Sequence, residues 1–228
     1  MNYLSDSLLA AVALILSFDR EVQFAVWTSL YTAGVAIVIA ALFAVPIGLW
    51  LGLKRFPGRR VLITLLNTMM AMPTVVIGLV LFGLLSRQGP LGEFGLLFTP
   101  VAMIAGQTVL AIPIVANYVL ACVNGADPRV IDTARTLGAT QLQASVQLVR
   151  EIRFGVMAAL IAGFGRVIGE VGVAMMLGGN IRGSTRTMTT AIALETSKGE
   201  FVFGLSLGIV LLCVALIVNL FLNMLQQR

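Results

Sequence analysis

An all-α membrane protein is the fold class this sequence predicts, on three observations. Hydrophobic residues make up 59% of the 228-residue chain and charged ones only 11%, against about a quarter charged in a soluble domain. Apolar runs of spanning length recur, where roughly 20 residues cross a bilayer core of about 30 Å. The charges gather between those runs. There is no histidine, and no acidic pair at catalytic spacing outside loops. Cys122 and Cys213 sit in or beside apolar runs, where packing suits them better than a disulfide or a metal site. The net charge of +5 is scattered over loops, which gives a nucleic-acid partner no surface.

The elements follow in chain order. The opening run, 4–18, is short for a span and abuts Asp19, Arg20 and Glu21, which fits an interfacial helix. Its start carries no basic residue and no small-x-small cleavage pattern follows, so a removed signal peptide is not expected. Five spans are then expected, at 24–49, 61–85, 96–122, 155–177 and 201–225. Each is somewhat longer than the bilayer requires, which allows tilt. Pro46 lies late in the first span, Pro73 and Gly78 in the second, and Pro113 in the third. Each proline removes a helical hydrogen bond, so each marks an expected kink.

Between the third and fourth spans lies a polar stretch, 124–153, far longer than a turn requires. Asp127 can cap a helix that Pro128 opens. Val130, Ala134 and Leu137 then fall on one face, with Ile131 and Leu142 adjoining, until Gly138 allows a sharp turn. A second amphipathic segment continues through Leu142, Val146 and Val149. Two short helices joined by a glycine elbow make a knob for a partner's cleft; the bland alternative is a pair lying on lipid.

In the fourth span Arg166 and Glu170 stand four apart and can pair. Either one unpaired in hydrocarbon is costly, so both should face protein or a water-filled path. Gly165-x-x-x-Gly169, with Gly172 following, matches a close-packing helix contact. The next polar run, with Asn180, Arg182, Ser184, Thr185 and Arg186, reads as a loop offering donors to an arriving anion or a partner protein. Met69, Met70, Met72, Met175 and Met176 serve equally as gate or as soft packing.

The connections set an orientation. Lys54, Arg55, Arg59, Arg60, Arg129, Arg135, Arg150, Arg153 and Arg228 fall on one side. Arg20, Arg87, Arg182, Arg186 and Lys198 fall on the other, interleaved with acids. The positive-inside rule puts the N-terminus outside, the C-terminus inside and the 124–153 stretch in the cytoplasm.

Asp132-Thr133-Ala134-x-x-x-Gly138, with Leu137 before the glycine, resembles the Glu-Ala-Ala-x-x-x-Gly signature of permeases of binding-protein-dependent ABC importers. Two departures stand out. Asp132-Thr133 replaces Glu-Ala, and Leu148-Val149-Arg150 lacks the family's Leu-Pro. The run 165–172 resembles the oxyanion permeases of the molybdate, sulfate and tungstate group, and the stretch 175–199 is most similar to the tungstate type. The resemblance covers roughly 24–225. It implies the type I importer permease fold, with five transmembrane helices and a short N-terminal interfacial helix forming a single transmembrane domain over 1–228. It implies that the helix of Asp132, Thr133, Ala134, Leu137 and Gly138 is the coupling helix seated in a cytoplasmic ATPase. It also implies a homodimer in the cytoplasmic membrane of a bacterium or archaeon, two ABC ATPase subunits and an extracytoplasmic tungstate-binding protein.

No Walker-type Gly-x-x-x-x-Gly-Lys-Ser/Thr occurs in the chain, so ATP hydrolysis is expected on a partner. No catalytic residue, metal ligand or cofactor is expected, and the few residues past the last span leave no room for a regulatory domain. Molybdate or sulfate is the alternative substrate. An ion-coupled secondary carrier is a distant rival, since such carriers show paired repeats and none is evident here.

Overall fold

In the computed structural model, residues 5, 6, 9, 10, 12, 13, 17, 19–127 and 129–226 are described. The expected interfacial segment 4–18 falls largely on residues outside that set, and Pro128 and Arg228 lie outside it entirely. The described residues contain no strand.

Helix α1, Arg20–Leu53, is 34 residues long, roughly 50 Å at 1.5 Å per residue. Asp19 caps it, its side chain accepting from the amides of Glu21 (2.8 Å) and Val22 (3.1 Å). The buried face of α1 is a seam of small residues that includes Ala25, Ala33, Ala36, Ala40, Ala44 and Gly48. Such a seam lets a second helix approach closely, which in lipid is a main source of helix association. That partner is α4, Pro100–Gly125, whose Thr99 cap and first-position proline fix its start. Contact is so close that a Cβ added at Gly48 would stand 2.7 Å from the carbonyl oxygen of Ala116. Ala33, Ala36 and Ala40 of α1 share a core with Ala111 of α4 and Phe164 and Val167 of a later helix.

The second expected span is two helices. Helices α2 (Arg59–Ala71) and α3 (Thr74–Leu85) meet at a 96° bend. Met72 before Pro73 is extended (φ −67°, ψ 133°), as a residue preceding proline prefers. Pro46 and Pro113, by contrast, lie inside unbroken helices. The difference is support: α1 and α4 are packed against each other on both sides of their prolines, whereas α2 buries no residue at all.

Helices α5 (Arg129–Thr136) and α6 (Gln141–Glu151) form the expected short pair. The next span is again broken. Helix α7, Arg153–Ile168, and helix α8, Gly172–Gly178, meet at 62°. Beyond the run 180–186 read as a polar loop, the chain forms helix α9, Met188–Ser197, opened by a capping box between Thr187 and Thr190. Its buried face packs Met188 and Ala191 against Val22 and Ala25 of α1 and against Leu207 and Val210 of α10, Phe201–Gln226. Among the described residues three helices are long and apolar enough to cross a membrane, or up to five if each bent pair is one span.

Outward-facing Val38, Leu42 and Phe43 on α1 and Leu212, Leu216, Ile217 and Leu220 on α10 are exposed. An apolar surface of that extent is a surface for lipid rather than water. Cys122 is half-buried and Cys213 exposed, and both are free thiols.

Candidate functional site

Three regions hold the residues singled out above. The first is the α5–α6 pair. Asp127 accepts from the Arg129 amide (2.9 Å) and starts α5. Gly138, at φ +86°, turns the chain, a conformation that costs glycine little. Thr140 and Gln143 close a capping box at the start of α6 (2.8 and 3.3 Å). The apolar residues of the pair divide their work. Ala144 and Leu148 are buried, and Leu148 shares a core with Val119 and Val123 of α4, against which Val130 and Ile131 pack half-buried. Leu137 and Leu142 face away, 82% and 75% exposed. Between the two helices runs a groove of about 780 Å³, lined by Thr133, Ala134, Leu137, Leu142 and Val146 with Arg129, Arg150 and Glu151 at its margins. Asp132 and Thr133 are exposed and Ala134 is half-buried. The geometry offers an apolar trough edged with charge to something soluble.

The second region is the break between α7 and α8. Arg166 and Glu170 are paired at 2.8 Å, but not along one continuous helix, since α7 ends at Ile168 and Glu170 stands in the bend. Glu170 is 4% exposed and Arg166 47% exposed. One carboxylate oxygen takes Arg166, while the other accepts from the Val173 amide at the start of α8 (3.3 Å). The buried acid thus holds both halves of the broken helix. The close-packing expectation divides within the single chain. Gly172 is tight, since a Cβ there would lie 3.1 Å from Thr74 Oγ1, whereas a Cβ at Gly165 would meet nothing within 4 Å and one at Gly169 only its own helix. The reason is the bend, which turns α8 into the protein and leaves the end of α7, with Arg166, on the open side.

The third region, 178–190, is more buried than a polar loop. Asn180, Ser184 and Arg186 are half-buried, and of the singled-out polar residues only Arg182 is exposed. Arg182 is ion-paired with Glu21 at the start of α1. Thr185 is wholly buried; its hydroxyl donates to the Gly178 carbonyl and accepts from the Ile181 amide. Thr189 Oγ1 donates to the Glu170 carbonyl (2.9 Å), and Ser29 of α1 accepts from the Met188 amide (2.9 Å). Sequence reasoning missed Ser29, Thr187 and Thr189 as positioning residues. For the two threonines the signal was the hydroxyl-rich run 184–190.

Comparison with known proteins fits this geometry. A family described as "Binding-protein-dependent transport system inner membrane component" matches residues 44–228. The tungstate uptake system permease protein TupB of Peptoclostridium acidaminophilum is 35% identical over 228 residues, covering 100% of both chains. Its counterpart in Campylobacter jejuni subsp. jejuni serotype O:2 is 37% identical over 227 residues, covering 100% of this chain and 95% of that one. A crystal structure of a bacterial alginate ABC transporter, in complex with a periplasmic protein carrying an alginate pentasaccharide, is similar in fold. Its TM-score is 0.75 at 18% identity, covering 95% of this chain and 82% of that one.

Proposed function

The chain belongs to the family of binding-protein-dependent transport system inner membrane components, and from that membership we propose that it is the permease subunit of an ATP-driven tungstate importer. One observation carries the mechanism: a helix pair with exposed leucines and an apolar groove, set on the end of a bundle whose sides are apolar. Full-length similarity to two tungstate permeases supports the substrate.

In this reading two copies pair, two ATPase subunits sit against the α5–α6 side, and a binding protein delivers the anion at the other. Residues 1–228 act as one transmembrane unit, with 124–153 as its coupling segment. The basic residues flanking α1, α2, α5 and α6 support placing that side in the cytoplasm, with the N-terminus outside and the C-terminus inside. Asp132, Thr133, Ala134, Leu137 and Gly138 form the surface that meets the ATPase. Leu137 anchors it, because an exposed leucine gains most when covered. Gly165, Arg166 and Gly169 face the second copy and the path between the two. Glu170 offsets the charge of Arg166, whose exposed side still presents N–H donors; a passing dianion is attracted without being trapped, as conduction requires.

The test is uptake by proteoliposomes holding the chain with its ATPase and binding-protein partners. ATP-dependent tungstate entry is expected, and Leu137→Asp should reduce it at least tenfold without lowering the melting temperature of the complex. Entry driven by an ion gradient without ATP would overturn the importer reading. Preference for sulfate or molybdate over tungstate would overturn the substrate alone.

A further inference from the structure

At the end of the bundle opposite α5 and α6, the start of α1 and the turn before α9 line an open cavity of about 260 Å³. Its walls are Arg20, Glu21, Phe24, Arg182, Gly183 and Arg186. Three cations against one anion leave it a net charge of +2. The volume equals that of about nine waters at about 30 Å³ each, enough for a small oxyanion with part of its hydration shell. From these features we infer that the cavity is an entry site for a tetrahedral oxyanion dianion, with Glu21 as a built-in competitor that the arriving anion displaces from Arg182. The inference takes the substrate class of the preceding section as its premise.

Two observations favour an external anion here. The Nε of Arg186 is buried and has no hydrogen-bond partner. A buried donor of a charged group left unsatisfied is costly, and because Arg186 also lines the cavity, a turn of its side chain toward an anion there would relieve that cost. The second observation is the Arg182–Glu21 pair itself, with Arg182 70% exposed and Glu21 46% exposed. A pair so exposed contributes little net stability, so exchanging Glu21 for an external anion is easy.

The arginines are held ready rather than gathered on binding. Ile181 O accepts from the amides of Ser184, Thr185 and Arg186 (3.2, 3.0 and 3.0 Å), and buried Thr185 pins the turn from below. Gly183, at φ +71°, supplies the reversal that brings Arg182 and Arg186 to the same cavity. Such preorganisation lowers the ordering cost of binding. Open arginines in water nonetheless bind weakly and in a salt-dependent way, which suits a site that must pass its ligand onward.

The experiment uses the complete complex of this chain with its ATPase, in lipid nanodiscs without binding protein, and measures equilibrium binding of radiolabelled tungstate at low salt. Saturable binding is expected in the wild type. Arg186→Gln should weaken it about tenfold, the loss of a charge-assisted hydrogen bond, and Glu21→Gln should tighten it about threefold. Arg87→Gln, a cation on another loop, should leave it unchanged. Arg186→Lys guards against a folding defect: with the charge kept and the buried Nε–H lost, it should fall between wild type and Arg186→Gln. Absence of binding, or binding that the Arg186 and Glu21 variants do not alter, overturns the inference. So does a result in which these variants change only the affinity of loaded binding protein for the complex, because the cavity would then hold a partner's carboxylate. Adding binding protein and ATP separates the two levels. Tungstate uptake by a complex without this binding defeats the entry site alone, whereas absence of any oxyanion uptake defeats the reading beneath it.

Discussion

Glu170 has the most tightly constrained charge in the chain. A carboxylate so nearly removed from solvent survives only because Arg166 takes one oxygen and the Val173 amide the other. Glu170→Gln keeps an acceptor for Val173 but leaves the Arg166 cation unmatched. The pair is half open, so the expected loss is about 1–2 kcal/mol, below that of a fully buried pair, read as a lower melting temperature in detergent. Unchanged melting would show that the bend does not depend on the charge. Glycines offer a sharper contrast. A Cβ at Gly106 would stand 2.4 Å from Val173 Cγ1 and 2.6 Å from Leu177 Cδ1, so Gly106→Ala should cost about 1–3 kcal/mol as an overpacked core does. Gly165→Ala meets nothing in the protomer and should gain up to about 1 kcal/mol of helix propensity in the isolated chain. The four-residue spacing of Arg166 and Glu170 was legible in the sequence. The bend between them was not, because no proline marks it and glycine is ordinary in membrane helices.

Among the elements, α1, α4 and α10 were readable almost to their ends from apolar run length alone. The breaks were harder. Pro46, Pro73 and Pro113 look alike in sequence, and only neighbouring packing decides which one bends the chain. Helix α9 was missed for a related reason. Thr187, Thr189 and Thr190 break the apolar pattern there, yet their hydroxyls bond to backbone and to one another in the interior. The α5–α6 pair was well read, because Asp127 and Gly138 each serve a local rule, whereas the capping pair Thr140 and Gln143 was not read. Thr140→Ala removes the capping box of α6 and should cost about 1 kcal/mol. Hydrogen exchange should quicken over the first turn of α6 and leave α4 untouched; equal protection in both proteins would contradict this.

For the molecule as a whole, two ends of different character are joined by a small-residue seam. One end carries the exposed α5–α6 groove, the other the buried hydroxyls and arginines of 178–190. Between them α6 passes into α7 through Ile152 alone, which caps the end of one helix and the start of the next. A one-residue junction leaves little slack, so displacement imposed on α6 is expected to reach α7. Inserting two glycines after Ile152 would add slack without touching either end. ATP hydrolysis by the complex should then continue while tungstate accumulation in proteoliposomes falls at least tenfold. On the proposed reading, that one-residue splice is a stiff transmission from the exposed groove into the helix that carries Arg166.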